Sequence, residues 1–239
     1  MERVQKIISN LGYASRRKAE ELIKEKRVLI NDTIANLGDK VKSSDVIKID
    51  NIILDKTNLN DKVYYLLNKP RGVVSTVTDP KGRKTIVSLI DTNMRIYPVG
   101  RLDYDTTGVI LLTNDGELTN KLLHPKNEIE KVYLAKIDGK ISGSDIYKLK
   151  NGVIVDNIKM NSSRVKLKSY NSKTNTSLVE ITIHEGHNHQ VKKMFSSIGF
   201  NVIKLTRLRF AFLDTKDLKS GEYRILNKKE VKKLYSLGE

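Results

Sequence analysis

Asp103 lies in a short polar loop that is flanked by Gly100 and Gly108 and leads directly into the apolar run from Val109 to Leu112. If the loop is extended, Arg101 and Asp103 point to the same side, because side chains alternate along an extended chain. A guanidinium keeps a nearby carboxylate ionised, as a nucleophile requires. The pattern therefore admits a catalytic aspartate, although a structural turn aspartate with an Arg partner is the stronger interpretation of the loop alone.

Calcium binding is the main chemical alternative for this loop. Asp103, Asp105 and Thr107 fall at positions 1, 3 and 5 of an EF-hand loop. The twelfth position holds Asn114 instead of the bidentate Glu that such a loop needs, and Pro98 prevents an entering helix. The spacing therefore argues against a calcium site.

A second metal hypothesis comes from three clustered histidines, His184, His187 and His189. The helical zinc motif would need its second His at position 188, which is Asn188. The chain has no cysteine, so thiolate ligands and disulfides are excluded. We expect no metal.

The elements that must position these residues are of both kinds but do not alternate strictly, which predicts an α+β fold. In the first 55 residues, two amphipathic helices separated by Gly12 precede short strands, and Ser15 is the expected N-cap of the second helix. The later part is rich in strands, including segments predicted at 64–67, 73–77, 109–113, 132–137, 165–170, 178–184 and 202–208. Helices are predicted near 117–123, at 191–198 and after Asn227. We expect a mixed, mostly antiparallel sheet with flanking helices.

The overall charge identifies the class of partner. The chain of 239 residues has a formal net charge of +16, which favours binding to a polyanion such as nucleic acid. No apolar segment approaches the length of a membrane span, and the N-terminus lacks the apolar stretch of a signal peptide. We expect a cytoplasmic protein without a membrane partner.

Cations on the outer faces of the first two helices suit contacts to phosphates. They are Arg3, Lys6, Arg16, Arg17 and Lys18. The run from Arg3 to Val28 resembles the S4 RNA-binding domain, with one departure at Lys26, where that family usually has Gly. The resemblance implies an αββ-type RNA-binding domain. The polar stretch from Asp55 to Asp61 is the expected linker, which gives a domain of residues 1–60 and a second domain of residues 61–239.

The second domain resembles the RsuA/RluB-type ribosomal RNA pseudouridine synthases. The resemblance rests on several ordered motifs, and together with the S4-like start it covers nearly the whole chain. These motifs are Lys69-Pro70-Arg71-Gly72, Gly100-Arg101-Leu102-Asp103 with Thr107-Gly108, Leu111 to Gly116, Lys131-Val132-Tyr133, Glu185 to Phe195 and Gly221-Glu222-Tyr223-Arg224.

The resemblance implies a role for each matching residue. Asp103 would be the catalytic carboxylate, Tyr133 would stack on uracil or transfer a proton, and Lys192 would pair with the aspartate. By pattern alone, Tyr133 is an ordinary core aromatic and Lys192 a solvated lysine. Arg101 would hold the flipped nucleotide and Leu205 would pack under the base, although Leu205 also fits an ordinary core position. His187 and His189 would contact RNA, and Ala211 departs from a common Gly.

The implied reaction detaches uracil from its sugar, rotates it and rejoins it through C5, so no redox cofactor, nucleotide or group donor is needed. The expected partner is ribosomal RNA or a ribosomal subunit assembly particle, bound by a monomer. The stretch from Thr78 to Thr85 resembles the branch that modifies large-subunit (23S) RNA. A small-subunit (16S) synthase and a non-catalytic RNA-binding assembly factor are the alternatives.

Overall fold

The computed structural model describes residues 1–55 and 61–238, and the chain forms two units. One contains residues 1–63 and 92–96, and the other contains residues 64–91 and 97–239. The sequence pattern gave no sign that residues 92–96 group with the first unit. The predicted linker from Asp55 to Asp61 lies largely outside the described residues, and the boundary after residue 60 stays a prediction.

The first unit has two short helices and two small antiparallel sheets. Val4, Ile7 and Ile8 of the first helix pack with Leu22 and Ile23 of the second in one buried core. The strands β1 and β4 pair, and the other four form a sheet in the order β3-β2-β5-β6. The elements are α1 (Val4–Asn10), α2 (Arg16–Lys24), β1 (Glu2–Arg3), β2 (Val28–Ile30), β3 (Thr33–Ile34), β4 (Lys40–Val41), β5 (Ile47–Ile49) and β6 (Ile52–Ile53).

Both ends of α2 have identifiable capping interactions. The Ser15 side chain accepts a hydrogen bond from the Lys18 backbone N–H, which confirms the predicted N-cap. At the other end, the Lys26 N–H donates to Ile23 and the Arg27 N–H donates to Leu22, the two bonds of a Schellman motif. Lys26 has a φ of 59°, a left-handed conformation in which Gly is favoured.

The second unit is built on a nine-stranded sheet with the strand order β13-β14-β10-β15-β9-β7-β17, in which β8 also pairs with β9 and β16 with β15. The β9–β15 pair is parallel and the other pairs of this sheet are antiparallel, as the sequence predicts. A separate hairpin joins β11 and β12. The strands are β7 (Tyr64–Lys69), β8 (Tyr97–Pro98), β9 (Thr107–Thr113), β10 (Lys131–Asp138), β11 (Val153–Val155), β12 (Ile158–Met160), β13 (Arg164–Asn171), β14 (Thr176–Ile183), β15 (Val202–Phe210), β16 (Leu213–Asp214) and β17 (Tyr223–Ile225).

Helices flank this sheet. They are α3 (Gly116–Leu123), α4 (Gly143–Asn151), α5 (Gln190–Ser196) and α6 (Lys228–Tyr235). Leu118 of α3 and Leu234 of α6 pack against Leu66 and Leu111 of the central strands in one hydrophobic core. The Asn227–Glu230 capping box predicted at the start of α6 is present.

The structure differs from the predicted elements at residues 73–77 and at α4, and the short strands β8, β11, β12, β16 and β17 were also not predicted. Residues 73–77 were predicted to be a strand, but within this described segment only Val74 forms an isolated bridge, to Thr85. The Ser75 hydroxyl instead donates to the Leu102 carbonyl at 2.6 Å and accepts from the Leu102 N–H at 3.1 Å. A side chain therefore replaces part of the backbone ladder. Helix α4 was not predicted, although Ser142 and Asp145 form a capping box at its start.

The parallel pair of β9 and β15 requires a glycine. Thr107 faces Thr206 and Gly108 faces Arg207 in the register of this pair. A Cβ atom on Gly108 would lie 2.1 Å from the Arg207 carbonyl oxygen, and Gly108 has a φ of 104°. Only glycine permits this approach, which joins the loop of Asp103 directly to β15.

Candidate active site

The side chains of Ser75 and Lys69 fix the loop of Asp103 by hydrogen bonds to its backbone. Leu102 is buried, while Arg101 and Asp103 on either side of it are accessible, as expected for an extended segment. Besides Ser75, the loop is fixed by Lys69, whose side chain is fully buried. Its ammonium donates to the carbonyls of Asp103 at 3.0 Å and Thr106 at 2.9 Å. Burial lowers the pKa of Lys69 to about 8, against the opposing charges of Asp103 and Asp105.

Lys192 connects this loop to α5 through two carboxylates. Its Nζ lies 3.1 Å from Asp103 Oδ2 and 2.6 Å from Asp105 Oδ1. Partial burial alone would lower the pKa of Lys192, but its hydrogen bonds to Asp105 and Asp103 outweigh burial and raise it. Burial likewise opposes ionisation of Asp105, yet the bond from Lys192 leaves the Asp105 pKa below its usual value. An ammonium between the two carboxylates also makes this loop unsuitable for calcium.

The groups that contact the Asp103 carboxylate differ in part from those that the sequence predicted. Lys192 was expected to pair with Asp103, and the ion pair is present. The second partner of the carboxylate is His189, whose Nδ1 lies 3.3 Å from Asp103 Oδ2, rather than Arg101. Arg101 shares the accessible side of the loop with Asp103, but its guanidinium is exposed and lines the cavity described next. Both partners come from the start of α5, where His189 is the N-cap and Lys192 lies in the first turn.

Six of the residues predicted to form the site line one cavity of ≈ 120 Å³, whereas Lys192 contacts Asp103 but does not line it. It opens beside a larger cleft of ≈ 980 Å³ that shares Arg101, Asp103, His187 and His189 with it. The predicted residues that line the smaller cavity are Arg101, Asp103, Tyr133, His187, His189 and Leu205. Tyr133 and Leu205 are almost fully buried, on β10 and β15. A charged rim together with the apolar surfaces of Tyr133 and Leu205 suits a flat heterocycle attached to a phosphodiester chain.

Lys131 and Arg207 are two buried cations of this cavity that the sequence analysis did not identify as site residues. Lys131 Nζ donates to the carbonyls of Ile129 at 3.0 Å and His184 at 2.5 Å. Burial, and then the charge of Arg207, lowers the pKa of Lys131 to about 8. Strand periodicity could have identified both residues, because side chains two positions apart on a strand point to the same face. Lys131 stands two residues before Tyr133, and Arg207 stands two residues after Leu205.

Within the histidine cluster, the contacts of His184 and His187 involve carboxylate and carbonyl oxygens. His187 Nε2 lies 3.2 Å from Glu185, and His184 Nδ1 lies 2.6 Å from the Glu128 carbonyl oxygen. Among residues 1–55 and 61–238, no group of three or more His, Asp or Glu side chains is arranged to hold a metal ion. No helix in the same residues has the length and apolar character of a membrane span.

The predicted RNA-contacting cations of the first unit fall into two groups. Lys6 pairs with Glu2, and Lys18 Nζ lies 3.0 Å from Glu21, each within or beside the same helix. Arg16 and Arg17 are exposed in the first turn of α2, and Arg3 is exposed in β1, directly before α1. Their guanidinium groups are therefore the more accessible cations of this surface.

Comparison with known proteins places this arrangement in a family. The model of the RNA pseudouridylate synthase family matches residues 63–197, and the S4 domain model matches residues 2–47. The chain belongs to the RNA pseudouridylate synthase family. The expected α+β fold, the enzyme class and the N-terminal S4 domain are thereby confirmed.

Individual relatives agree with this assignment along the whole chain. The ribosomal large subunit pseudouridine synthase B of Bacillus subtilis (strain 168) is 48% identical, over 100% of this chain and 98% of its own. The dual-specificity RNA pseudouridine synthase RluF of Escherichia coli (strain K12) is 35% identical, over 99% of this chain and 79% of its own. A crystal structure of a pseudouridylate synthase superimposes with a TM-score of 0.67 at 29% identity, covering 98% of this chain and 100% of that one.

Proposed function

We propose that this protein isomerises a specific uridine to pseudouridine in the RNA of the large ribosomal subunit. The observation that carries the proposal is the position of Asp103, held by Lys69 and Ser75 and paired with Lys192, at the edge of a cavity with Tyr133. The 48% identity to the large-subunit enzyme of Bacillus subtilis supports the choice of RNA.

The roles of the site residues follow from their surroundings. Asp103 supplies the ionised carboxylate beside the ribose, and Lys192 and His189 hold that carboxylate in position. Tyr133 and Leu205 provide the apolar walls against which an extruded base packs. Arg101 is exposed at the rim, where a phosphate of the flipped nucleotide would pass.

The partner is ribosomal RNA, free or within an assembling subunit, and the first unit provides additional affinity through Arg3, Arg16 and Arg17. The proposed active form is a monomer. A ribosomal substrate in turn implies a cytoplasmic protein. Light scattering of the purified protein, alone and with RNA, tests the monomer.

The decisive experiment is pseudouridine mapping of ribosomal RNA from cells with and without the protein, complemented by wild type or Asp103→Asn. We expect one large-subunit uridine to depend on the protein, and Asp103→Asn to abolish product while RNA binding stays within about twofold. Asp156→Asn is the matched control, because Asp156 pairs with the neighbouring Lys193 of α5 but lies outside the cavity.

Each other outcome would change a different part of the proposal. A dependent site in small-subunit RNA would replace the proposed substrate with 16S RNA. Unchanged pseudouridine at every site, together with retained RNA binding, would indicate a non-catalytic assembly factor. Full activity of Asp103→Asn would remove Asp103 from the chemistry.

A further inference from the structure

Three buried polar side chains in the wall of the cavity have atoms without a hydrogen-bond partner in the described residues 1–55 and 61–238. The atoms are Thr106 Oγ1, Gln190 Nε2 and Arg207 Nη2. Their residues are 1%, 3% and 2% exposed, and all three line the cavity that also contains Asp103. Buried polar groups are nearly always hydrogen-bonded, so three such atoms around one cavity are available to a polar ligand or to the ordered water that a ligand would displace.

Arg207 is fixed so that one end of its guanidinium remains available. Its Nε donates to the Val109 carbonyl oxygen at 2.7 Å, and its Cζ lies 5.1 Å from the centre of the Phe210 ring. In the sheet, Arg207 is in register with Tyr133 of β10. A planar, permanently charged donor held in this way is suited to bind a carbonyl oxygen of a flat ligand.

Gln190 and Thr106 have equally defined positions. Gln190 Oε1 accepts a hydrogen bond from the His187 backbone N–H at 3.1 Å, which fixes the amide orientation and identifies Nε2 as the free donor. The Thr106 backbone is held by the Asp103 carbonyl at 3.1 Å and by Lys69. Its hydroxyl can donate or accept.

These three groups complement the pairing edge of uracil, which presents an acceptor, a donor and an acceptor at O4, N3–H and O2. We propose that Gln190 and Arg207 donate hydrogen bonds to the two carbonyl oxygens of the target uracil and that the Thr106 hydroxyl accepts from N3–H. The proposal rests on the function proposed above and assigns the residues that recognise the base. Cytosine has an amino group in place of O4, so the side-chain donor that binds O4 would face another donor and discriminates against cytosine, whereas the Thr106 hydroxyl can pair with N3 of either base.

The test uses a synthetic hairpin carrying the uridine that wild-type protein modifies, and variants that each remove one group. Gln190→Glu keeps the acceptor for His187 but loses the amide donor, and Arg207→Lys keeps the charge but loses Nη2. Thr106→Val removes the hydroxyl, which Thr106→Ser retains. We expect Gln190→Glu, Arg207→Lys and Thr106→Val to slow conversion about ten- to hundredfold with hairpin affinity unchanged, and Thr106→Ser to recover most of the rate that Thr106→Val loses.

A structural role is separated from base recognition by replacing O2 or O4 of the target with sulfur, a weak acceptor. Each replacement should slow wild type about tenfold or more. Gln190→Glu should become insensitive to one replacement and Arg207→Lys to the other, because the donor to that oxygen is already gone. The assignment would be overturned if the rate loss caused by each sulfur replacement were the same in both variants as in wild type. It would also be overturned if the variants had wild-type rates. Wild-type protein that converts no uridine would overturn the proposed function and this assignment with it.

Discussion

Lys69 is a fully buried lysine whose ammonium supports the backbone of the loop that carries Asp103. Burial lowers its pKa from 10.5 to about 8, so between these values the unfolded chain binds a proton that the folded chain has released. Stability therefore rises with pH in that window, by up to about 1.4 kcal/mol per pH unit. A neutral amine still has two N–H groups for the carbonyls of Asp103 and Thr106.

Replacement of Lys69 by Met tests this linkage. We expect the free energy of unfolding of wild type, relative to Lys69→Met, to increase by about 2 kcal/mol between pH 8 and pH 10. Urea denaturation at both pH values measures the difference. Lys131, whose pKa is lowered in the same way, is present in both proteins and cancels. Parallel stability profiles would show that Lys69 keeps its ordinary pKa.

Among individual residues, those that belong to recognisable sequence motifs could be predicted as site residues. Residues whose role depends on contacts with distant parts of the chain could not. Asp103, Tyr133, Lys192 and Leu205 could be assigned, and the structure brings them together, although their catalytic roles stay predictions. Lys69 could not be assigned a role, because its partners Asp103 and Thr106 lie 34 and 37 residues away. Local sequence cannot reveal such a contact.

The C-terminus of α2 allows the contribution of a helix cap to the free energy of unfolding to be tested. Lys26 occupies the left-handed C′ position of a Schellman motif, where Gly has no steric cost. We expect Lys26→Gly to raise the free energy of unfolding by about 0.5–1 kcal/mol, measured by chemical denaturation. Lys24→Gly, within the same helix, should lower it by about 1 kcal/mol. A loss of stability from Lys26→Gly would mean that the Lys26 side chain contributes more than its backbone conformation costs.

Elements were predictable where periodicity and caps agreed. The buried apolar run of β9, the alternating pattern of β13 and the capping residues of α2 and α6 were sufficient to predict these four elements. Residues 73–77 have strand-forming side chains, but Ser75 bonds Leu102 through its hydroxyl and interrupts the ladder. Helix α4 has few buried residues, with Leu149 its one fully buried apolar side chain among the described residues, so its periodicity is weak.

The net charge of +16 makes RNA affinity a property of the whole molecule, but individual cations contribute unequally. We expect Arg16→Gln with Arg17→Gln to weaken RNA binding and to reduce the slope of log K against log salt by about two. Lys18→Gln is the matched control on the same helix, because Lys18 already pairs with Glu21. Binding measured at several salt concentrations checks this. An equal loss with Lys18→Gln would contradict it.

The parallel pairing of β9 with β15 has a consequence for the order in which the protein is assembled during translation. The residues that it joins are separated by 99 positions, as in the hydrogen bond between Thr107 and Thr206. Domains form from the N-terminus as the chain emerges from the ribosome. The RNA-binding unit is therefore synthesised long before Lys192 and Arg207, and a nascent chain that already exposes Asp103 still lacks the strand that completes its site. During synthesis of each chain, the RNA-binding unit is therefore complete before the active site is.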